Sequence, residues 1–197
     1  MKKRISIIAK QGFVIPMLLL LWSAQGLADS AYNLNVAASV VGVTSTKNDR
    51  ISERHQIKFE QGSVSSTGQV QLVIDLLTTE TNIPIRNERM QKHLFADDPL
   101  AVVSAQLSSA VFAKARAGEA GSESVTVTLA ANGTVQDLSM IMNLERDASG
   151  GLIVTGKTEI DVSDLGYGAG IEALRSLAGL LRISTRVPVD FVLHFDD

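Results

Sequence analysis

The chain has 197 residues, no cysteine, 18 basic against 21 acidic side chains and only 5% aromatic residues. Without cysteine it can form neither a disulfide nor a cysteine-linked lipid anchor, so the fold must rest on its apolar core. The acidic balance argues against nucleic acid, whose binding depends on clustered Lys and Arg, and the length suits one domain with a sizeable core.

The chain opens "MKKRISIIAKQGFVIPMLLLLWSAQGLA", with Lys2, Lys3, Arg4 and Lys10 ahead of an apolar stretch from Phe13 to Trp22 and small residues at Gly26 and Ala28. That order is expected of a cleavable export signal over residues 1–28, with an uncleaved anchor as the alternative. The apolar stretch is short of the roughly 20 residues a comfortable membrane span needs, and no later stretch qualifies. Removing the signal leaves residues 29–197 with 14 basic and 21 acidic side chains, a net charge of −7.

Beyond the signal, period-two alternation dominates. After "YNLNVAASVVGV", apolar faces recur at His55, Ile57, Phe59; at Val70, Leu72, Ile74, Leu76; at Val103, Ala105, Leu107; and at Val125, Val127, Leu129. They continue at Leu138, Met140, Met142, Leu144; at Leu152, Val154; and at Val187, Val189, Phe191, Leu193, Phe195. Each reads as a strand with one side on a core, about eight in all. Many joints carry turn residues, Asn132-Gly133 being the strongest hairpin signal. Eight antiparallel strands joined mostly by hairpins close most simply into an up-and-down barrel, which abolishes exposed edges. At this size the interior is either filled by side chains or holds one small ligand. A two-sheet sandwich is the alternative fold.

Two stretches break the alternation, between strands three and four and between strands seven and eight. In "IPIRNERMQKHLF", the spacing predicts a short helix over 87–94, with Asn87 as N-cap, Glu88 and Lys92 paired at i,i+4, and Met90, Leu94 and Phe95 on the dry side. Its charges read as a solvated face, or as placing Arg86 or Arg89 where a guanidinium could meet an anionic head group. The second stretch, residues 163 to 184, predicts a helix over 171–182 carrying Ile171, Leu174, Ala178 and Leu181. Such a helix closes a barrel end, or acts as a lid or membrane-touching element.

Candidates for catalysis are few. The histidines are His55, His93 and His194; His194 is expected to face solvent, and His55 shares its face with Ile57 and Phe59 and could point inward. Three scattered histidines lack metal-site spacing, so no metal or other cofactor is expected. The carboxylate pairs Asp97 with Asp98, Asp161 with Asp164 and Asp196 with Asp197 fall in expected turns or at the chain end, unlike an acid–base pair in a cleft.

The segment "TNIPIRNERMQKHLF" resembles the signature of the YceI-like family, lipid- or polyisoprenoid-binding proteins of the bacterial periplasm, at Thr81, Ile85, Arg86, Asn87, Arg89, Met90, Leu94 and Phe95. "STGQVQLVIDLLTTET" is similar to that family's third strand, and "EIDVSDLGYGAGIEALRSLAGLLRISTRVPVDFVLHF" to its closing strand, helix and strand. The resemblance covers essentially the whole of residues 29–197. It departs in "KNDRISERHQIKFEQGSVSS", which lacks the expected glycine-and-phenylalanine turn, and "AKARAGEAGSE" at 113–123 reads as a variable loop. It implies a lipocalin-like eight-stranded barrel whose elongated apolar pocket takes an isoprenoid or other amphiphilic chain, and a periplasmic location.

The reading is therefore a non-enzymatic carrier of an apolar or amphiphilic molecule. Its expected wall is Ile57, Phe59, Leu72, Ile74, Val103, Leu107, Met140, Met142, Val189 and Phe191, with His55, Arg86, Arg89 and Phe95 at the mouth. Transient membrane contact is compatible with it. The alternatives are a filled barrel acting as a stress-related interaction module, and an enzyme using His55 with a nearby acid. The sequence leaves the oligomeric state open.

Overall fold

A computed structural model describes residues 30–197; the expected export signal lies outside them. The strands are β1 (Ser30–Leu34), β2 (Val40–Lys47), β3 (Ile51–Ser65), β4 (Gln69–Glu80), β5 (Leu100–Gln106), β6 (Gly121–Ala131), β7 (Thr134–Arg146), β8 (Leu152–Asp161) and β9 (Arg186–Asp196). Three helices are inserted: α1 (Pro84–Met90), continued by one π-helical turn over Gln91–Phe95, α2 (Ser109–Arg116) and α3 (Gly168–Leu177).

Strands β2 to β9 pair antiparallel in sequence order, and β9 returns to β2, closing the barrel. The barrel is the expected eight-stranded one, with its first position shared by two collinear pieces. Between β3 and β9, β1 occupies the lower part, with Tyr32 opposite Val64 and Leu34 opposite Phe195, and β2 the upper part. The break comes from Asn35, whose side chain accepts from the Ala38 N–H and donates to Asp196, and whose carbonyl accepts from Ser39 N. A short polar side chain competing for backbone groups ends a strand in this way.

Period two governs burial as expected. On β3, His55, Ile57 and Phe59 are buried while Gln56, Lys58 and Glu60 are exposed; on β7, Met140, Met142 and Leu144 are buried while Ser139, Ile141 and Asn143 are exposed. The β6–β7 turn has φ 50° at Asn132 and 69° at Gly133, the two left-handed residues that a type I′ hairpin requires.

The two barrel ends differ. At the lower end Val64, Leu107, Leu144, Leu152 and Phe195 are almost wholly enclosed, and α2 plugs the opening with Phe112 and Ala115. Phe112 meets Tyr32 edge-to-face at 6.2 Å between centroids. The sequence reading placed a variable loop over 113–123; instead α2 occupies 109–116, N-capped by Ser108, whose hydroxyl accepts from Val111 N, and β6 starts at Gly121. The upper end is covered by α1, the π-helical turn and α3.

Candidate functional site: the barrel lumen

Between the packed lower end and the helical cover lies a cavity of about 240 Å³. All ten expected wall residues line it: Ile57 and Phe59 from β3, Leu72 and Ile74 from β4, Val103 and Leu107 from β5, Met140 and Met142 from β7, and Val189 and Phe191 from β9. Several inward residues, among them Ile74, Val103, Val189 and Phe191, are only half-buried, because their free surface faces the lumen rather than a packed neighbour. Gly156 helps keep that space: it sits opposite Phe191 in the β8–β9 ladder, and a Cβ there would collide with the Phe191 ring.

The lining contains no Asp, Glu, Lys or Arg; its polar members are Ser45, His55, Thr158, Tyr167 and Ser184. His55 points inward and is 3% exposed. Its Nε2 lies 2.8 Å from Ser45 Oγ, and its Nδ1 has no hydrogen-bond partner among the described residues. Burial, and then the positive charge of Arg86, hold its pKa below the ordinary imidazole value, so the ring is neutral at pH 7. Tyr167 is the second lining residue with a buried polar atom and no partner among the described residues; burial, reinforced by the Asp98 charge, pushes its phenol up to about 12. Its ring packs edge-to-face on Phe95, 5.8 Å between centroids, and both residues line the cavity.

The expected mouth residues thus separate. His55 and Phe95 reach the lumen, whereas Arg86 and Arg89 are absent from its lining. Arg86 donates to Glu53, which also takes Lys47 at 2.5 Å, so one half-buried carboxylate is shared by two cations. The Lys47 hydrogen bond, with that of Arg86, holds the Glu53 carboxyl below its usual range. Arg89 donates to the Leu177 carbonyl at 3.4 Å and joins α1 to the end of α3.

The cover helix begins earlier than its spacing suggests. Pro84 takes the first helical position, where its missing N–H costs nothing, and Ile83 rather than Asn87 is the N-cap. The Asn87 Oδ1 accepts from Thr81 N at 3.0 Å and Thr81 Oγ1 at 2.6 Å, while its Nδ2 donates to Glu80 at 3.0 Å. These bonds fix the helix to the end of β4. The expected Glu88–Lys92 pair does not form a salt bridge. Met90, Leu94 and Phe95 do form the dry side and line the lumen. The second helix spans 168–177, shorter than expected and starting earlier; Ile171 lines the cavity, and Leu181 lies beyond the helix in solvent.

The arrangement offers little for catalysis. Ser45 and His55 are paired as a nucleophile and base would be, but no carboxylate orients Nδ1, as an activated serine requires. The expected carboxylate pairs occupy turns and the chain end: Asp161 accepts from Ser163, Asp98 from Gly133 N, and Asp196 from Asn35. His194 lies on the outer side of β9, between the inward Leu193 and Phe195, and is half-buried there, its backbone N–H donating to Ser39 Oγ. Among the described residues no group of three metal-ligating side chains converges, and no helix is long and apolar enough to cross a membrane.

Comparison with known proteins gives the same fold. The polyisoprenoid-binding domain from Saccharophagus degradans implicated in plant cell wall breakdown is 36% identical, over 85% of this chain and 99% of that one, with a TM-score of 0.79. Burkholderia cenocepacia BcnA shares the fold at 17% identity, over 82% of this chain and 98% of that one, with a TM-score of 0.62. No curated protein matches the chain. The YceI-like domain model matches residues 32–195, from the first buried tyrosine to the last buried phenylalanine, and the chain belongs to the YceI-like family.

Proposed function

We propose that the protein is an exported, periplasmic carrier that holds a polyisoprenoid or similar neutral lipid inside the barrel, without catalysing a reaction on it. The observation that carries this reading is a continuous interior wall with no charged side chain. Removing a lipid chain from water stabilises the complex by about 0.8 kcal/mol per buried methylene. Association costs on the order of 4 to 15 kcal/mol, so roughly five to twenty carbons must be buried before binding becomes favourable. That arithmetic favours a long chain over a small solute. A charged diphosphate inside the lumen would lie unpaired in an apolar site, at a cost that such a chain does not offset. A hydroxyl or carbonyl could instead bond His55 Nδ1 or Tyr167 Oη, the two buried polar atoms of the lining left without partners among the described residues. The 36% identical relative is itself described as a polyisoprenoid-binding domain. Residues 1–28 would be removed on export, leaving residues 29–197 as the working protein.

The reading is tested by filling the lumen. Purified residues 29–197 incubated with geranylgeraniol and passed through gel filtration should retain close to one prenol per chain on extraction. Val103→Phe combined with Leu129→Phe, both at the half-buried lining, should lower retention about tenfold with the thermal midpoint maintained. Equal retention by the filled variant would place the lipid elsewhere.

A further inference from the structure

The surface around the cover helices combines two features that the interior does not use. Among the described residues, five of the ten exposed large apolar side chains, Ile51, Ile83, Ile85, Leu177 and Leu181, belong to the elements around this one end of the barrel. Leu181 is 87% exposed, although its own backbone is held: its N–H donates to Asn48 Oδ1 at 3.0 Å. An anchored backbone presenting a free leucine differs from a side chain left out by a loose loop.

These residues share one face. The segment after α3 is tied to the β2–β3 turn by Asn48, which contacts the backbone of both Leu181 and Arg182, and by the bridge between Lys47 and Ile183. Arg89, four residues after Ile85 on α1, reaches the Leu177 carbonyl, and Arg86 reaches Glu53, two residues along β3 from Ile51. The three segments that carry these side chains are basic although the body is acidic, with the Glu80 carboxylate beside them on Asn87. Segments 47–53, 83–92 and 172–182 hold seven basic and four acidic side chains, a net of +3, whereas residues 30–197 as a whole hold 14 against 20, a net of −6. Among the described residues Arg50 and Arg89 have no carboxylate partner, and Arg182 has only a solvent-exposed contact with Asp49 at 3.5 Å.

We infer that this face docks on an anionic phospholipid surface, with Leu177, Leu181, Ile51 and Ile85 entering the interface and Arg50, Arg89 and Arg182 facing the head groups. Leucine and isoleucine beside arginine is the composition that interfacial binding requires, and the cationic face selects a negatively charged bilayer from an otherwise repelled molecule. The orientation brings the helix-covered end of the barrel against the bilayer. The inference does not depend on what the lumen holds.

Flotation of residues 29–197 with phosphatidylcholine vesicles, with and without phosphatidylglycerol, tests it. The protein should float with the phosphatidylglycerol vesicles and be released by salt. Leu177→Asp with Leu181→Asp should reduce the bound fraction about tenfold, and Arg50→Glu with Arg182→Glu by a similar factor. Ile141→Asp, an exposed apolar position on the outer wall of β7, should leave binding unchanged. The variants alter exposed side chains, and circular dichroism melts check that each is folded. No flotation of the wild type, undiminished flotation of the double aspartate variant, or an equal loss in Ile141→Asp would each overturn the inference.

Discussion

His55 is inside the barrel, neutral, and bonded on one side only, and its titration has a definite consequence for stability. Its folded pKa lies below the ordinary imidazole value, chiefly through burial and then through Arg86. Above about pH 6.5 both folded and unfolded states are neutral; as pH falls the unfolded chain binds the proton first, and stability declines by up to about 1.4 kcal/mol per pH unit. Glu53, shifted downward, acts in a separate window below the ordinary glutamate value of 4.5, where protonation releases Lys47 and Arg86. Urea unfolding between about pH 7 and pH 5 should therefore show a slope in wild type that His55→Gln flattens. Arg86 has a different role. Arg86→Ala should cost about 1 kcal/mol by leaving Glu53 with one cation, and should leave prenol retention within about twofold; a tenfold loss of retention at unchanged stability would instead assign Arg86 to the ligand. At this scale the sequence was legible where period two applied, which is why the ten wall residues could be named. It was silent on Tyr167, which reaches the lumen from a glycine-flanked loop with no periodicity, and on Ser45, a polar residue whose place is set by the β2–β3 register opposite Glu53.

The elements that cover the lumen are α1 with its π-helical turn and α3. Gly170 lets the two approach: a Cβ there would overlap the His93 carbonyl and lie 2.6 Å from Leu94 Cδ2. Gly170→Val should lift α3 from the π-helical turn, cost about 1 to 3 kcal/mol, and speed amide exchange in residues 91–95 and 168–177 while β6 and β7 stay protected. Unchanged exchange would mean that α3 does not depend on this contact. Helix existence was readable here because Met90 with Leu94, and Ile171 with Leu174, recur at helical spacing, but boundaries were not. Pro84 starts α1 three residues before Asn87, and Asn87 bonds to Thr81 instead of capping. The α2 plug is hard to read from sequence because alanines and charged residues in 109–116 give only a weak apolar stripe; its signals are Ser108, Phe112 and the left-handed Gly118. Elsewhere the wall is braced where side chains are missing. Arg54 crosses over Gly42 on β2 to grip Asp190 on β9 at 3.0 and 2.6 Å, linking three strands.

Taken whole, the molecule is a barrel packed solid at one end and hollow beneath a helical cover at the other. The distinction lay beyond the sequence, since Leu107 or Phe191 reads alike whether it fills a core or borders a cavity. Closure was legible, because consecutive hairpins leave no other economical way to pair every edge. A cavity of about 240 Å³ is slightly smaller than the roughly 300 to 1,000 Å³ of ordinary ligand sites. A long chain held there would therefore have to extend past Met90 and Leu94 or displace the cover. The central claim, that this hollow carries a lipid, is tested most directly by native mass spectrometry of the protein purified from its own host, before and after organic extraction. The account expects a mass excess of one neutral, long-chain lipid per chain that extraction removes; a chain reproducibly at its bare polypeptide mass, with nothing extracted, would contradict it.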